Sequence, residues 1–100
     1  MPIGKVWSNF NWEKLDEVPN VYGVFELGDS AKNVIYIGEG KLQDELKRYK
    51  RSKDSCKTQA RKFRYEQMDS KQRAEQKERA LLREYEKANE KLPRCNKKIG

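Results

Sequence analysis

The apolar positions of this chain alternate between two periods. Residues 21–27, Val-Tyr-Gly-Val-Phe-Glu-Leu, and 34–38, Val-Ile-Tyr-Ile-Gly, are β-branched and aromatic runs, and Gly28-Asp29-Ser30-Ala31-Lys32-Asn33 between them reads as a hairpin loop. That pattern predicts two antiparallel strands. Beyond Gly40, the residues Leu42, Leu46 and Tyr49 recur at i, i+4 and i+7, the spacing of one helix face. A short amphipathic helix is expected there, with that face on the sheet and its lysines turned outward. Residues 63–67, Phe-Arg-Tyr-Glu-Gln, alternate large and polar side chains and predict a third strand. Asp69-Ser70 then offers N-cap candidates before a long helical pattern of Ala74, Leu81, Tyr85, Ala88 and Leu92, which stops near Pro93. In residues 1–18, Trp7, Phe10, Trp12 and Leu15 are expected to cover an open side of the core. The predicted class is α/β in the α+β sense. It has a small three-stranded antiparallel sheet flanked by helices, in the order β-β-α-β-α, as a single domain over 19–100 with the segment 1–18 packed on it.

Composition narrows the core. Leucine, isoleucine, valine and phenylalanine together number only 19 of 100 residues, and 39% are charged, which borders on the composition of disordered chains. Five tyrosines and two tryptophans offset this with large apolar surfaces, so one thin core is expected. The length leaves no room for a second core and a cleft between lobes. No run approaches a membrane span, and the first 20 residues lack the apolar centre of a signal segment, so a cytoplasmic protein is expected. Two cysteines, Cys56 and Cys95, are too few and too far apart to suggest a framework; reduced thiols without a redox role are expected. Histidine is absent. That removes histidine-activated nucleophiles and most zinc sets, leaving tyrosine, lysine, carboxylates or a carboxylate-bound metal for any chemistry.

The net charge of +7 is local. Residues 1–40 carry three basic and six acidic side chains, residues 41–64 ten and three, and residues 65–100 ten and seven. The central block therefore accounts for the excess. Lys41, Lys47, Arg48, Lys50, Arg51, Lys53, Lys57 and Arg61 are its candidate phosphate contacts. Such a strip gains by releasing counterions from a polyanion, independently of base sequence. Tyr49, Phe63 and Tyr65, interleaved with it, favour nucleic acid over a merely solvated helix face, although they form no aromatic ladder.

Several fragments resemble the GIY-YIG nuclease superfamily, which includes homing and excision-repair endonucleases. They are Pro19-Asn20-Val21-Tyr22, Val34-Ile35-Tyr36-Ile37-Gly38, Leu81-Leu82-Arg83-Glu84 and Pro93-Arg94-Cys95-Asn96. The resemblance covers residues 19–96 and implies the same three-stranded sheet. It also implies phosphodiester hydrolysis of DNA, with RNA not excluded. In that reading Tyr22 and Tyr36 lie beside the scissile phosphate, Glu84 holds one divalent metal, usually Mg2+, and Asn96 positions the site. A carboxylate is a hard ligand suited to Mg2+, and a metal so held withdraws charge from a phosphate. Measured from Leu81 at 100° per residue, Glu84 falls at the edge of the apolar stripe.

The pattern breaks at two places. Where such nucleases carry a lysine after YIG and an arginine on the following helix, this chain has Glu39 and Glu45. An anion there repels a phosphate, and loss of a phosphate clamp lowers nuclease rates by orders of magnitude. Arg48, at i+3 from Glu45, and Lys41 are the candidate replacements, and Glu39 or Glu45 joining Glu84 on a metal is the alternative. Three functions follow: a Mg2+-dependent DNA endonuclease, a catalytically degenerate nucleic-acid-binding module that does not cut, or an adaptor whose basic face meets an acidic protein. The chain has little surface for choosing a target, so shape, a partner protein or a homodimer would supply targeting.

Overall fold

A computed structural model of the chain describes residues 6–96. The strands predicted from the β-branched runs form the hairpin β2 (Tyr22–Gly28) and β3 (Val34–Lys41), with β1 (Ser8–Asn9) and α1 (Trp12–Asp16) before it. After it come α2 (Leu42–Arg51), a 3-10 turn at Lys57–Gln59, β4 (Lys62–Gln67) and α3 (Lys71–Asn89). The architecture is α+β: one antiparallel sheet in the order β1-β4-β2-β3 and three helices. Among the described residues the sheet has four strands rather than the expected three. The extra one is a two-residue pairing, Ser8 with Phe63 and Asn9 with Lys62, too short to leave an alternating pattern in the sequence.

Local chemistry explains the boundaries. The Asp29 carboxylate accepts from the backbone N–H of Ala31 at 3.0 Å and of Asn33 at 2.9 Å, which closes the β2–β3 loop. Ser70 is the N-cap of α3, its hydroxyl accepting from Arg73 N at 3.2 Å. The helix stops earlier than Pro93, because Glu90 turns left-handed (φ 62°) and its N–H donates to Glu86 O at 2.7 Å. Leu92, expected inside the helix, instead packs on the core from beyond its end.

Two apolar clusters sandwich the sheet. One joins Phe25, Leu27, Ile35 and Phe63 to Leu42, Leu46 and Tyr49 of α2, and to Phe10, Leu15 and Val18 from the N-terminal segment. The other joins Val24 and Ile37 to Ala74, Leu81 and Leu82 of α3. Phe10 and Leu15 are buried as the sequence suggests, but Trp12 is 44% exposed.

β3 is an edge strand, and residues 93–96 shield it. Cys95 N donates to Ile35 O at 2.8 Å. The Asn96 side chain accepts from Ile37 N at 2.9 Å and donates to Ile37 O at 3.0 Å. An open row of edge donors and acceptors invites pairing with other chains, and this strap occupies it.

The expectation of reduced cysteines is corrected. Cys56 and Cys95 form a disulfide, with Cα atoms 5.7 Å apart. Their separation of 39 residues concealed it: the loop after α2 folds back onto the strap along β3 and brings the two together.

Candidate functional site

The site grows from β3 and the helix that follows. Strand alternation gives β2 and β3 two faces, and the register Leu27 with Tyr36, Phe25 with Gly38 and Val24 with Glu39 fixes which residues share one. Tyr36 lies on the α2 face, its ring centroid 6.1 Å from that of Phe25 and 4.9 Å from that of Tyr49. A Cβ on Gly38 would come within 2.6 Å of the Phe25 ring and 2.8 Å of the Tyr36 ring, so glycine there lets the rings close over the strand. Gly40 takes φ +137°, open to glycine alone at little cost, and turns the chain into α2 with Glu45 directly above it.

On this face the hydroxyls of Tyr36 and Tyr49 lie 2.6 Å apart. Arg48 approaches the Tyr49 hydroxyl at 3.4 Å, lies over its ring at 4.8 Å, and pairs with Glu45 at 2.7 Å. The Glu45 carboxylate is thereby met by the arginine one turn later on its own helix. Burial, and then the Tyr49 hydrogen bond, push the Tyr36 hydroxyl well above the usual tyrosine range; of its neighbours only Arg48 acts in the other direction. A hydroxyl so placed keeps its proton and is a poor base for water.

Tyr22 belongs to the opposite face. It is three residues from Phe25 along the strand and sits across from Lys41, whose ammonium lies 4.9 Å from the Tyr22 ring centroid. The structure therefore does not bring Tyr22 and Tyr36 together. The β2 aromatic beside Tyr36 is Phe25, which carries no hydroxyl.

Glu39 shares Val24's face and meets α3. Its Oε2 is buried without a hydrogen-bond partner among the described residues, and burial raises its carboxyl above the ordinary range, with Lys71 opposing. Glu78 of α3 stands nearby. Burial pushes its carboxyl up to about 7, Glu39 and Glu75 adding to the rise while Arg79 and Lys71 reduce it. Glu78 was missed by the sequence reading although its position signals it. It is i+4 from Ala74, i−3 from Leu81 and i−4 from Leu82, so it occupies the inward stripe of the helix.

Glu84 is exposed on another side of α3, where it lines a cavity with Glu26 and Arg64. Asn96 is engaged by the Ile37 backbone, as described above. Neither stands with Tyr22. Among the described residues no group of three histidine, cysteine, aspartate or glutamate side chains is arranged to hold a metal. Glu39 and Glu45 lie near each other, whereas Glu84 lines the cavity with Glu26 and Arg64, so among the described residues these carboxylates form no shared donor set for the Mg2+ ion that the resemblance implies.

The basic block divides by position along α2. Acids occupy its first turn, Asp44 and Glu45, and bases its last, Arg48, Lys50 and Arg51. Cations at a helix C-terminus are favoured by the macrodipole, which accounts for part of this arrangement. Lys47 pairs with Asp16 at 2.7 Å. Lys50 lies 5.2 Å from the Phe10 ring centroid and Arg51 5.6 Å from that of the half-exposed Trp12. Lys53 is exposed, and Arg61 donates to Thr58 O and Ala60 O at 2.7 and 3.0 Å. The Lys57 side chain lies outside the described residues. No ion pair holds Lys50, Arg51, Lys53 or Arg61 among the described residues.

Residues 1–88 match the family described as a domain of unknown function, DUF7508. The chain belongs to that family. No curated protein matches it. The match to DUF7508 spans the whole sheet and nearly all of α3, so the paired tyrosines, Glu39, Glu78 and the basic end of α2 all lie inside the family region, whereas Cys95 and Asn96 lie beyond it. No helix among the described residues is long and apolar enough to cross a membrane.

Proposed function

We propose that this chain is a nucleic-acid-binding module of GIY-YIG-like fold that holds phosphates on the basic end of α2 and does not cut. The observation that carries the reading is the charge arrangement along α2 and the loop after it. Lys50, Arg51, Lys53 and Arg61 are not held by acidic partners, while the acids gather at the other end around Glu39, Glu45 and Glu78. A polyanion laid on the basic end releases counterions and stays clear of the acids. The succession β2-β3-α2-β4-α3 is what supports the GIY-YIG-like fold.

Two observations favour binding over hydrolysis. Burial and the Tyr49 hydrogen bond raise the Tyr36 hydroxyl and make it a poor base, and Glu45 stands where an arginine clamp is expected. DNA is the proposed partner, with RNA sharing the phosphate chemistry. A homodimer or partner protein remains the proposed source of targeting.

Fluorescence anisotropy with a short labelled duplex, read across a salt series, tests the proposal. Each neutralised phosphate contributes about 0.9 to the log–log salt slope, so replacing Lys50, Arg51 and Lys53 with glutamine lowers the slope by roughly 2 to 3. Binding that ignores both salt and these substitutions would overturn the reading. Binding to an acidic protein alone would move it to the adaptor function.

A further inference from the structure

Among the described residues, every aromatic side chain but one is buried or half-buried. The exception is Trp12, 44% exposed, although Phe10 before it and Leu15 after it both fill the core. A single exposed apolar side chain is ordinary on a protein surface. What distinguishes this one is its neighbours. Arg51 lies 5.6 Å from the Trp12 ring centroid, and Lys50, the residue before it, lies 5.2 Å from that of Phe10. The indole therefore borders the end of α2 where the cations have no acidic partner among the described residues.

The short helix α1 fixes the indole in that place. Asn11 caps it, its side chain accepting from Lys14 N at 2.9 Å. The Gln43 amide of α2 donates to Leu15 O and Asp16 O, each at 3.3 Å, and Lys47 pairs with Asp16 at 2.7 Å. Asp16 stands one turn along α1 from Trp12, so this pair also offsets the acid on the indole's own side of the helix. Glu13 and Glu17 lie about 100° and 140° around α1 from Trp12.

Beside Phe10 the surface is recessed. A cavity of about 200 Å3 has walls of Phe10, Tyr49, Lys50, Thr58, Ala60 and Arg61, with no carboxylate among the described lining residues. Phe10 and Tyr49 are only 6% and 8% exposed, too little to offer a ring face to a base. The volume falls below the roughly 300 Å3 at which small-molecule sites begin, so the cavity suits a phosphate group rather than a whole nucleotide. Arg61 Nη1 donates to Thr58 O and Ala60 O at 2.7 and 3.0 Å, which leaves Nε and Nη2 for an anion. Lys50 supplies the second cation.

An exposed indole and a cationic recess, linked by the consecutive residues Lys50 and Arg51, match the two chemistries of an unpaired strand, which are base faces and backbone phosphates. A duplex keeps its base faces stacked on one another and offers this surface its phosphates alone. We propose that the basic end of α2 prefers single-stranded nucleic acid, with one base stacked on Trp12 and a neighbouring phosphate between Lys50 and Arg61. This rests on the nucleic-acid reading and names the form of nucleic acid that the surface selects.

Anisotropy with labelled oligothymidylate, beside a hairpin duplex of the same length and label, tests it at fixed salt, with tryptophan emission followed in the same titration. Oligothymidylate is expected to bind several-fold more tightly than the duplex and to quench the emission saturably. Trp12→Ala, at an exposed position, should weaken oligothymidylate by about tenfold, as for one lost stacked base, and leave the duplex unchanged. Trp12→Phe should keep part of that affinity and lose the quenching, because the remaining Trp7 packs against Arg64 and Gly28 instead. Lys50→Gln should weaken both ligands. Equal affinity for the two ligands, or a Trp12→Ala variant that binds oligothymidylate as the wild type does, would overturn the preference while salt-dependent duplex binding upholds the nucleic-acid reading. Binding of neither ligand would overturn both.

Discussion

The hydroxyl of Tyr36 lies 2.6 Å from the hydroxyl of Tyr49, joining the edge strand of the sheet to the helix that carries the basic residues. This contact makes the tyrosine expected to act on a phosphate into a structural hydrogen-bond partner. Tyr36→Phe is therefore expected to cost stability, about 1 kcal/mol for a half-buried neutral hydrogen bond, and to leave nucleic-acid affinity unchanged. Chemical denaturation and anisotropy on the same variant check the two parts. A loss of affinity with unchanged stability would return Tyr36 to the binding surface.

The carboxylates near α3 set the direction of the pH response. Glu78 has its folded value raised from 4.5 to about 7, so the fold favours its protonated form. Stability is then greatest below the unfolded value and falls as pH rises from 4.5 towards 7, above which the penalty is constant. Glu26 and Glu39, also raised by burial, act in the same direction, whereas Asp29, lowered chiefly by its backbone hydrogen bond from Asn33, contributes stability above its unfolded range that is lost as pH falls. Glu78→Gln should raise stability at pH 8 by on the order of 1 kcal/mol, after screening at this half-buried position, and have little effect at pH 4. Thermal melts across pH measure this, and an equal effect at both pH values would show that Glu78 does not titrate in this window.

Disulfide closure over 39 residues is expected to matter in a core this thin. Constraining a loop of that length in the unfolded chain stabilises by about 4 kcal/mol on the loop-entropy scale, with 2 to 4 typical. Reductant, or Cys56→Ser, should lower the denaturation midpoint accordingly. Thiol titration of the native protein should detect neither cysteine until reductant is added; two reactive thiols in the untreated protein would contradict the bond.

Asn96 makes two hydrogen bonds to Ile37 on the open edge of β3. Asn96→Ala should cost about 1 to 3 kcal/mol and speed amide exchange at Ile37. Unchanged exchange there would show that the strap does not protect the edge.

Much of this architecture can be read from the residues. The runs around Val24 and Ile35, closed by the Asp29 loop, mark β2 and β3. Leu42, Leu46 and Tyr49 mark the buried face of α2, and Ser70 marks the start of α3. What escapes is whatever depends on pairing between distant segments. Register decides that Val24 faces Glu39, and hence that Tyr22 and Tyr36 lie on opposite faces. Cys56 and Cys95 meet only because residues 93–96 run along β3, and β1 exists only because β4 offers it an edge. Glu78 escaped for a different reason: a carboxylate interrupts the apolar stripe by which a helix face is recognised, so the residue that breaks the pattern was passed over although it occupies the pattern's own position.

The two readings of the basic surface separate on a single gel. Supercoiled plasmid is incubated with the protein and Mg2+ over a salt series, beside the Tyr36→Phe variant, and both mobility and strand breaks are read. Binding without cutting predicts retarded plasmid at low salt, release as salt rises, and no nicked circles with either protein. Nicked circles made by the wild type and lost with Tyr36→Phe would contradict it.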